Sequence, residues 1–448
     1  MPEDHLAYQI RDLVQALDLS EIHRWHLKDP RGALPLDPVM MVSIQLYAWC
    51  SNVYSSRNTA KLCICDLGGR YLAAGHQPDF RTISAFRLRH GEALADLFIQ
   101  SVRLCQAAGM ISLGHVAIDG TKLMANASKH KAMSYGRMAQ AEEDLRAEIA
   151  RIKRRCEEED AREDTLFGKE KPGYNLPEQL KFRQSRLEHI LKAKAKLEAE
   201  AKAAAEAKAA VRERQRQERA SDNNDPDKPR RGRKPKDPDQ VAPKDSAQSN
   251  FTDPESRIMK SGTGEWVQGY NGQAAVDSDH QVIVACELTN MAADAPHFQP
   301  IVEQLIENTG AEPVQTSSDA GYFSQANVEN TVSPFGEVFI PPDRMRHSQA
   351  GASALAALAE RQDDGSELSC ADRMRDRLST AEGQQAYGIR KKTVEPVFGQ
   401  IKGCPGSPGF RQFLRRGIVK CRQEWHWICA ASNFLKYIRY QRAIQAAN

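Results

Sequence analysis

Three acidic residues of this sequence lie where their carboxylates could act together. Asp119 ends a short apolar strand predicted at residues 115–119, Asp319 follows a strand predicted at 313–318, and Glu395 lies in a later helical segment. Carboxylates that converge repel each other, and divalent cations with oxygen ligands, such as Mg²⁺, remove that repulsion. Two such ions about 4 Å apart can activate an attacking oxygen and stabilise a leaving one. The pattern therefore predicts phosphodiester cleavage with two Mg²⁺ ions, or with Mn²⁺.

The segments around these acids predict a mixed α/β core. Beyond a long insertion after Asp119, two strands joined by a short turn are predicted at 265–276 and 280–288. A helix that begins at Asp294 follows at 294–307, and then a strand at 313–318 that ends at Asp319. A further strand at 336–340 precedes a helical region at 385–440 that contains Glu395. With the insertion removed, this order matches the RNase H-like fold. In that fold the strands before the first two acids are neighbours, so their carboxylates converge, and a later helix supplies the third.

Residues 1–110 predict a helical N-terminal domain. Asp37 followed by a proline indicates a helix start, because the carboxylate caps the first turn and proline fits the first helical position. A second start at Asp79 opens a short basic helix that contains Arg87 and Arg89. Such a helix after a turn is typical of DNA recognition, and an ordinary solvated helix face is the alternative.

A long inserted segment is predicted between residues 129 and 220. Its composition shifts to Ala, Glu, Lys and Arg, which are strong helix formers. Apolar residues repeat at helical spacing on both sides of a break at residues 172–177. This pattern predicts two long, coiled-coil-like helices that pair as an antiparallel hairpin.

A basic, disordered linker is predicted at residues 221–250, where almost no side chain is apolar. Arg231 and Arg233 flank a glycine between prolines within it. This arrangement resembles an AT-hook, an extended basic arm that lies in the minor groove of A·T-rich DNA. A plain solubilising linker is the alternative interpretation.

The overall charge limits the kinds of partner. The chain of 448 residues has 62 Lys and Arg against 59 Asp and Glu, a formal net charge of +3. A basic field over the whole molecule is therefore excluded, and any nucleic-acid surface is local. No apolar run approaches the ~18 residues of a membrane span, and no signal-like stretch opens the chain. We therefore expect a cytoplasmic protein without a membrane partner.

Four segments together resemble the DDE-type transposases of bacterial insertion sequences. They are the two segments around the aspartates, the strand hairpin, and the segment around the glutamate, which is the most specific: Ala117–Lys122, Ser318–Ser324, Gln268–Asp277 and Thr393–Lys402. The helical N-terminal region and the tail 409–436 are also similar to this family. The resemblance covers roughly residues 1–130 and 250–440, and the inserted block carries least of it.

The resemblance implies that Asp119, Asp319 and Glu395 are the catalytic residues and the metal ligands. It implies a nucleoid-associated enzyme that binds double-stranded DNA at the inverted repeats of its element, frees a 3′-OH and transfers it to target DNA. Two ends must be held together, so a homo-oligomer is expected. A nuclease of the same fold without strand transfer is one alternative, and a non-catalytic DNA-binding protein from a decayed element is another.

Basic residues near the glutamate are assigned to DNA through the same resemblance. Lys402 lies seven residues after Glu395 and matches a basic position two helical turns along, which reaches DNA phosphate. Lys391 occupies the family's arginine position, and Arg390 is its neighbour. Tyr387 is displaced by one residue from the expected tyrosine. The DNA contacts expected here are therefore Lys402, Lys391 and Arg390.

These expectations divide the chain into five parts. They are a helical DNA-binding domain, the first strand of the core, the inserted helices, the linker, and the remainder of the core with its C-terminal helices: 1–110, 111–128, 129–220, 221–250 and 251–440.

Overall fold

The computed structural model of this protein describes eight ranges of the chain: 1–26, 36–167, 178–222, 238–262, 264–329, 336–343, 368–403 and 409–447. The chain forms two compact units. The first combines Met1–Asn126 with Ile258–Asn448, and the second is Ala127–Arg257. The N-terminal helical region and the three acidic residues therefore belong to the same unit, and the inserted helices belong to the other.

The chain before the first strand is helical, as predicted. Its helices in the described ranges are α1 (Leu6–Gln15), α2 (Ser20–His26), α3 (Pro38–Cys50), α4 (Ser56–Cys65), α5 (Leu67–Leu72), α6 (Phe80–Arg89) and α7 (Gly91–Ala107). Both predicted helix starts are confirmed. Asp37 accepts a hydrogen bond of 2.7 Å from the Met40 amide, and Asp79 accepts one of 2.7 Å from the Arg81 amide. Nearly all of α3 is buried, because its side chains are apolar on every face.

One mixed sheet lies at the centre of the first unit. The strands in the described ranges are β1 (His115–Met124), β2 (Ala132–Ser134), β3 (Gln248–Asn250), β4 (Arg257–Lys260), β5 (Trp266–Asp277), β6 (Ile283–Thr289), β7 (Gln315–Ser318) and β8 (Glu337–Phe339). Six of them form the mixed sheet, in the order β4-β5-β1-β7-β8 with β6 also paired to β5, and β2 pairs with β3 separately. The antiparallel pairing of β5 with β6 confirms the predicted hairpin.

The first strand is longer than the sequence predicted. We expected it to end at Asp119, and this expectation is wrong, because β1 continues to Met124. The continuation is set by β5, which places Ala274 opposite Asp119 and Gly269 opposite Met124 in antiparallel register. Asp119 therefore lies inside a long strand, where it is paired with Ala274 of β5.

The second unit is built on two long helices, α8 (Tyr135–Phe167) and α9 (Glu178–Asp222). The predicted antiparallel hairpin is confirmed. Lys194 pairs with Glu142 at 2.9 Å and Arg183 pairs with Glu148 at 2.8 Å, so the helices run in opposite directions. A buried apolar cluster joins them: Met138, Leu145, Ile190, Ala193 and Leu197.

The linker predicted at 221–250 differs from the structure in its last part. Residues 248–250 form β3, which pairs antiparallel with β2. Asn250 stabilises this strand, because its Nδ2 donates to the Ser128 carbonyl at 2.8 Å and its Oδ1 accepts from the Thr252 amide at 2.9 Å. The segment 223–237, which includes the predicted arginine arm, lies outside the described residues.

Helices cover the sheet in the second half of the chain: α10 (Phe298–Thr309), α11 (Gln325–Glu329), α12 (Cys370–Ser379), α13 (Ala381–Lys402) and α14 (Ile418–Ala447). Asn433 fixes α14 between β6 and α7. Its side chain accepts from the Ile283 amide at 2.9 Å, and donates to the Ile283 carbonyl at 2.8 Å and to Ser101 at 3.1 Å. None of the helices in the described ranges combines the length and the apolar character of a membrane span.

Candidate active site

The pairing of β1 with β7 brings the first two acids near each other. Ile118 lies opposite Ser318 in parallel register, so Asp119 and Asp319 follow equivalent positions of neighbouring strands. This adjacency of the two strands confirms the prediction from strand order. Burial, together with the charge of Asp319, raises the pKa of Asp119 to about 7. Burial and the neighbouring carboxylate therefore both oppose the ionisation of Asp119.

The third acid is connected to the first through Arg390 of α13. Nη1 of Arg390 donates to Oδ2 of Asp119 at 3.0 Å, and its Nη2 donates to Oε1 of Glu395 at 3.4 Å. The arginine side chain is only 6% exposed and lies over the ring of Tyr387, at 5.3 Å. Arg390, predicted as a DNA contact, is therefore placed among the acids, where its charge offsets part of their repulsion.

The two lysines assigned to DNA are placed differently. Nζ of Lys402 donates to the backbone carbonyl of Lys122 in β1 at 3.2 Å. Burial lowers the pKa of Lys402, and the charge of Asp119 acts in the opposite direction. Lys391 is exposed on α13. One lysine is therefore fixed beside the strand of the first acid, and the other is accessible to solvent.

Asp294 is a fourth carboxylate beside this centre, and sequence reasoning missed it. Its Oδ1 accepts hydrogen bonds from Nζ of Lys122 at 3.0 Å, Nδ2 of Asn271 at 2.6 Å and Nε2 of Gln273 at 3.0 Å. We expected Asp294 to open a helix, but its side chain makes no cap hydrogen bond, a 3₁₀ turn follows it, and α10 begins only at Phe298. The available signal was the alternation of Asn271 and Gln273, which places two polar side chains on one face of a strand.

The two arginines of α6 have different environments. Arg87 is 7% exposed. Its guanidinium donates to three groups of the same unit: the Gln45 side chain, the Tyr54 carbonyl and the Thr59 hydroxyl. Arg89 is exposed and lies over the ring of Trp25, at 3.9 Å. The structure therefore differs from the predicted DNA contact at Arg87, because its donors are used internally, whereas Arg89 is accessible.

We expect Arg87→Ala to destabilise the protein by about 1–3 kcal/mol, because it leaves buried acceptors without their donors. We expect Arg89→Ala to keep the wild-type melting temperature. In a plot of the logarithm of the DNA-binding constant against the logarithm of the salt concentration, its slope should be smaller in magnitude by about one, as expected for the loss of one phosphate contact. Scanning calorimetry and gel-shift titrations at several salt concentrations measure both effects. An Arg87→Ala protein with normal stability and lost preference for end DNA would contradict this assignment.

The donor set of the site suits a divalent cation in its chemistry. Asp119, Asp319 and Glu395 offer carboxylate oxygens, the ligands that Mg²⁺ prefers. The pKa of Asp119 is raised first by burial and then by repulsion from Asp319, and a cation would relieve this repulsion. Within the described ranges, no group of three or more His, Cys, Asp and Glu side chains is arranged to hold a metal ion. In the described structure the guanidinium of Arg390 forms ion pairs with Asp119 and Glu395, two of the three acids.

Carboxylates brought together on a mixed sheet beside buried and exposed cations make this region a candidate enzyme active site. Residues 1–89 match the family model described as Transposase domain (DUF772), and residues 363–438 match the one described as Transposase DDE domain. These matches confirm the resemblance to the DDE-type transposases of insertion sequences and indicate a DNA transposase. No curated protein and no solved structure matches this chain.

The two matched segments divide the candidate residues. The DDE match contains Glu395 and the neighbouring basic residues, which are Arg390, Lys391 and Lys402. The N-terminal match contains Arg87 and Arg89. Asp119 and Asp319 lie outside both segments, so their assignment rests on the sheet. Arg231 and Arg233 lie outside the described residues.

Proposed function

We propose that this protein is an active DNA transposase with an RNase H-like core. It binds the terminal inverted repeats of its element, cleaves phosphodiester bonds with a divalent metal and transfers the freed 3′-OH to target DNA. The observation that carries the proposal is the parallel pairing of β1 with β7, which sets Asp119 beside Asp319. The Arg390 bridge from Asp119 to Glu395 supports the third assignment.

The sheet supports an RNase H-like core in two ways. β1 lies between an antiparallel strand, β5, and a parallel strand, β7, and β5 continues into the hairpin with β6. Of these features, the sequence pattern predicted the hairpin and the adjacency of β1 and β7; the pairing of β1 with β5 is an addition from the structure. The two long helices α8 and α9 are inserted into the core between β1 and β5. This insertion explains the large separation of Asp119 and Asp319 in the sequence.

Each side chain of the centre has a role in this proposal. Asp119, Asp319 and Glu395 would hold Mg²⁺ or Mn²⁺ ions, which supply an activated oxygen nucleophile and stabilise the leaving oxygen when bound. Lys402 and Lys391 would contact DNA phosphates near the cut, so binding weakens as salt rises. Arg390 would reach DNA only by leaving Asp119 and Glu395. In its described position it neutralises part of their charge.

Cleavage of end DNA by the full-length protein tests this function. The substrate is a labelled duplex with the inverted repeats that flank the coding region, incubated with Mg²⁺, with Mn²⁺ or with EDTA. We expect 3′-OH ends and joined products with either metal and neither product with EDTA. Cleavage without joining would favour the nuclease alternative, and binding without cleavage in all conditions would favour the non-catalytic one.

The number of protomers follows from the same reaction. Transfer of both ends of an element requires that the ends be held together, so we propose a homo-oligomer that acts on double-stranded DNA in the nucleoid. Light scattering of the protein with and without end DNA measures the assembly, and a strictly monomeric complex would contradict it.

A further inference from the structure

A glycine lies one residue after Asp119 and two residues after Asp319, and both glycines, Gly120 and Gly321, face Asp294. A Cβ atom at position 120 would lie 2.7 Å from Oδ1 of Asp294, and one at position 321 would lie 3.3 Å from its Oδ2. Neither Gly120 nor Gly321 is among the described glycines with a positive φ. Their backbone conformation therefore does not require glycine. The absence of a side chain at both positions instead leaves room for the Asp294 carboxylate.

The Asp294 carboxylate joins the two strands beside which it lies. Its Oδ1 accepts from Lys122 of β1 and from Asn271 and Gln273 of β5, at distances of 2.6–3.0 Å. The side chains of Lys122 and Asp294 are only 13% and 21% exposed. Because water screens the charges little in such a position, the ion pair and the two amide hydrogen bonds are stronger there than they would be in solvent.

The turn after Asp319 belongs to the same network. The hydroxyl of the buried Tyr322 donates to Oε1 of Gln273, and Nε2 of Gln273 in turn donates to Asp294. Oδ1 of Asp319 and Oδ2 of Asp294 both lie within 3.3 Å of the point that a Cβ at position 321 would occupy. Asp294 therefore borders the Asp319 turn directly and is also tied to it through Gln273.

We propose that Asp294 is a positioning residue of the acidic centre. By accepting from both strands and bordering the Asp319 turn, it fixes where Asp319 stands relative to Asp119, and so prepares the pair for a metal ion. The inference rests on the proposed function, since it concerns the metal-binding carboxylates. Lys122 and two amides use Oδ1 of Asp294, and Lys122 also lies 3.4 Å from its Oδ2, so the role proposed for Asp294 is that of an acceptor rather than a metal ligand.

Substitution at position 294 separates these two roles. Asp294→Asn keeps an acceptor oxygen for the three donors, whereas Asp294→Ala removes it. The experiment measures binding of Mn²⁺ to the full-length protein without DNA, using the electron paramagnetic resonance signal of the free ion. It therefore reports on the acidic centre without requiring any reaction. We expect Asp294→Ala to weaken Mn²⁺ binding about 10- to 100-fold, as loss of a residue that orients metal ligands does. We expect Asp294→Asn to stay within about threefold of the wild type, since the acceptor is kept.

The glycines supply a second, independent variant. Gly120→Ala places a methyl group against Oδ1 of Asp294 and Nε2 of Gln273, each at 2.7 Å. We expect it to weaken Mn²⁺ binding as Asp294→Ala does. Gly114→Ala is the matched control, because its Cβ would meet only the Ser112 hydroxyl, at 3.5 Å, in the approach to the same strand. If Asp294→Ala does not fold, Gly120→Ala decides the question.

Each result has a definite meaning. Wild-type Mn²⁺ affinity in Asp294→Ala or in Gly120→Ala would overturn the positioning role. An equal loss in Asp294→Asn and Asp294→Ala would overturn it in favour of Asp294 as a metal ligand. A wild-type protein that binds no Mn²⁺ at all would contradict the metal use in the proposed function, and this role with it. Binding of end DNA and the melting temperature of Asp294→Asn should match the wild type.

Discussion

Replacement of Asp119, Asp319 or Glu395 by alanine is expected to reduce cleavage of end DNA roughly a thousandfold. A bound metal supplies several kcal/mol of transition-state stabilisation, and each 1.4 kcal/mol corresponds to a tenfold rate. DNA binding should persist, because the phosphate contacts come from basic side chains. Single-turnover cleavage in Mg²⁺ and gel-shift titration of the same preparations measure the two effects separately.

A matched acidic control is available in the same sheet. Asp279 is an exposed carboxylate in the turn between β5 and β6, and Asp279→Ala should cleave at the wild-type rate. Cleavage at the wild-type rate by Asp319→Ala would exclude Asp319 from the centre. Asp119 accepts a hydrogen bond from Arg390, and Asp119→Asn keeps a side chain of the same shape there. We therefore expect Asp119→Asn to be as inactive as Asp119→Ala but to preserve more of the local structure.

Removal of the second unit is expected to affect strand transfer far more than cleavage. We would join Asn126 to Ile258 through a short Gly/Ser linker, at the limits of the compact units. The remaining chain contains all three acids and should still nick DNA in Mg²⁺. If the long helices help to hold two ends together, transfer should fall roughly a hundredfold, since linked binding events gain about 10²–10⁴ in avidity.

The passive-insertion alternative gives a different result in the same experiment. A shortened protein whose strand transfer equals that of the full chain would show that α8 and α9 only interrupt the core. A shortened protein that does not fold would show that the second unit contributes to the stability of the first. Circular dichroism and thermal melting, measured before the DNA assays, distinguish failure to fold from loss of transfer.

Local patterns in the sequence sufficed for several elements of the fold. The helix starts at Asp37 and Asp79, the β5–β6 hairpin and the two long helices all depend on residues close in sequence, and the structure confirms them. The extent of β1 could not be predicted in this way. Its second half is set by pairing with β5, which lies beyond the whole inserted unit. β3 was missed for a similar reason, because its residues are polar and are stabilised by tertiary hydrogen bonds.

The candidate site was predicted less completely than the fold. The strand order was enough to place Asp119 beside Asp319. The surroundings of these acids were not predictable, because they depend on side chains from distant segments. The sequence predicted Arg390 as a DNA contact. It could not show that Arg390 pairs with Asp119, because the two residues are 271 positions apart in the chain. Asp294 carried the signature of a helix cap, and only the approach of β5 shows that its carboxylate points to the sheet.

The central position of β1 has a consequence for synthesis of the protein. Its partner β5 leaves the ribosome about 150 residues later, a delay of roughly 8–30 s at about 5–20 residues per second. During that time the apolar residues Val116 and Ile118 have no strand beside them, which exposes the nascent chain to aggregation or to chaperones. Helix α14, which lies between β6 and α7, is translated after all three acids. A nascent chain that has not yet reached α14 would carry all three acids without the helix that packs on β6, so we expect cutting activity only once α14 has been translated.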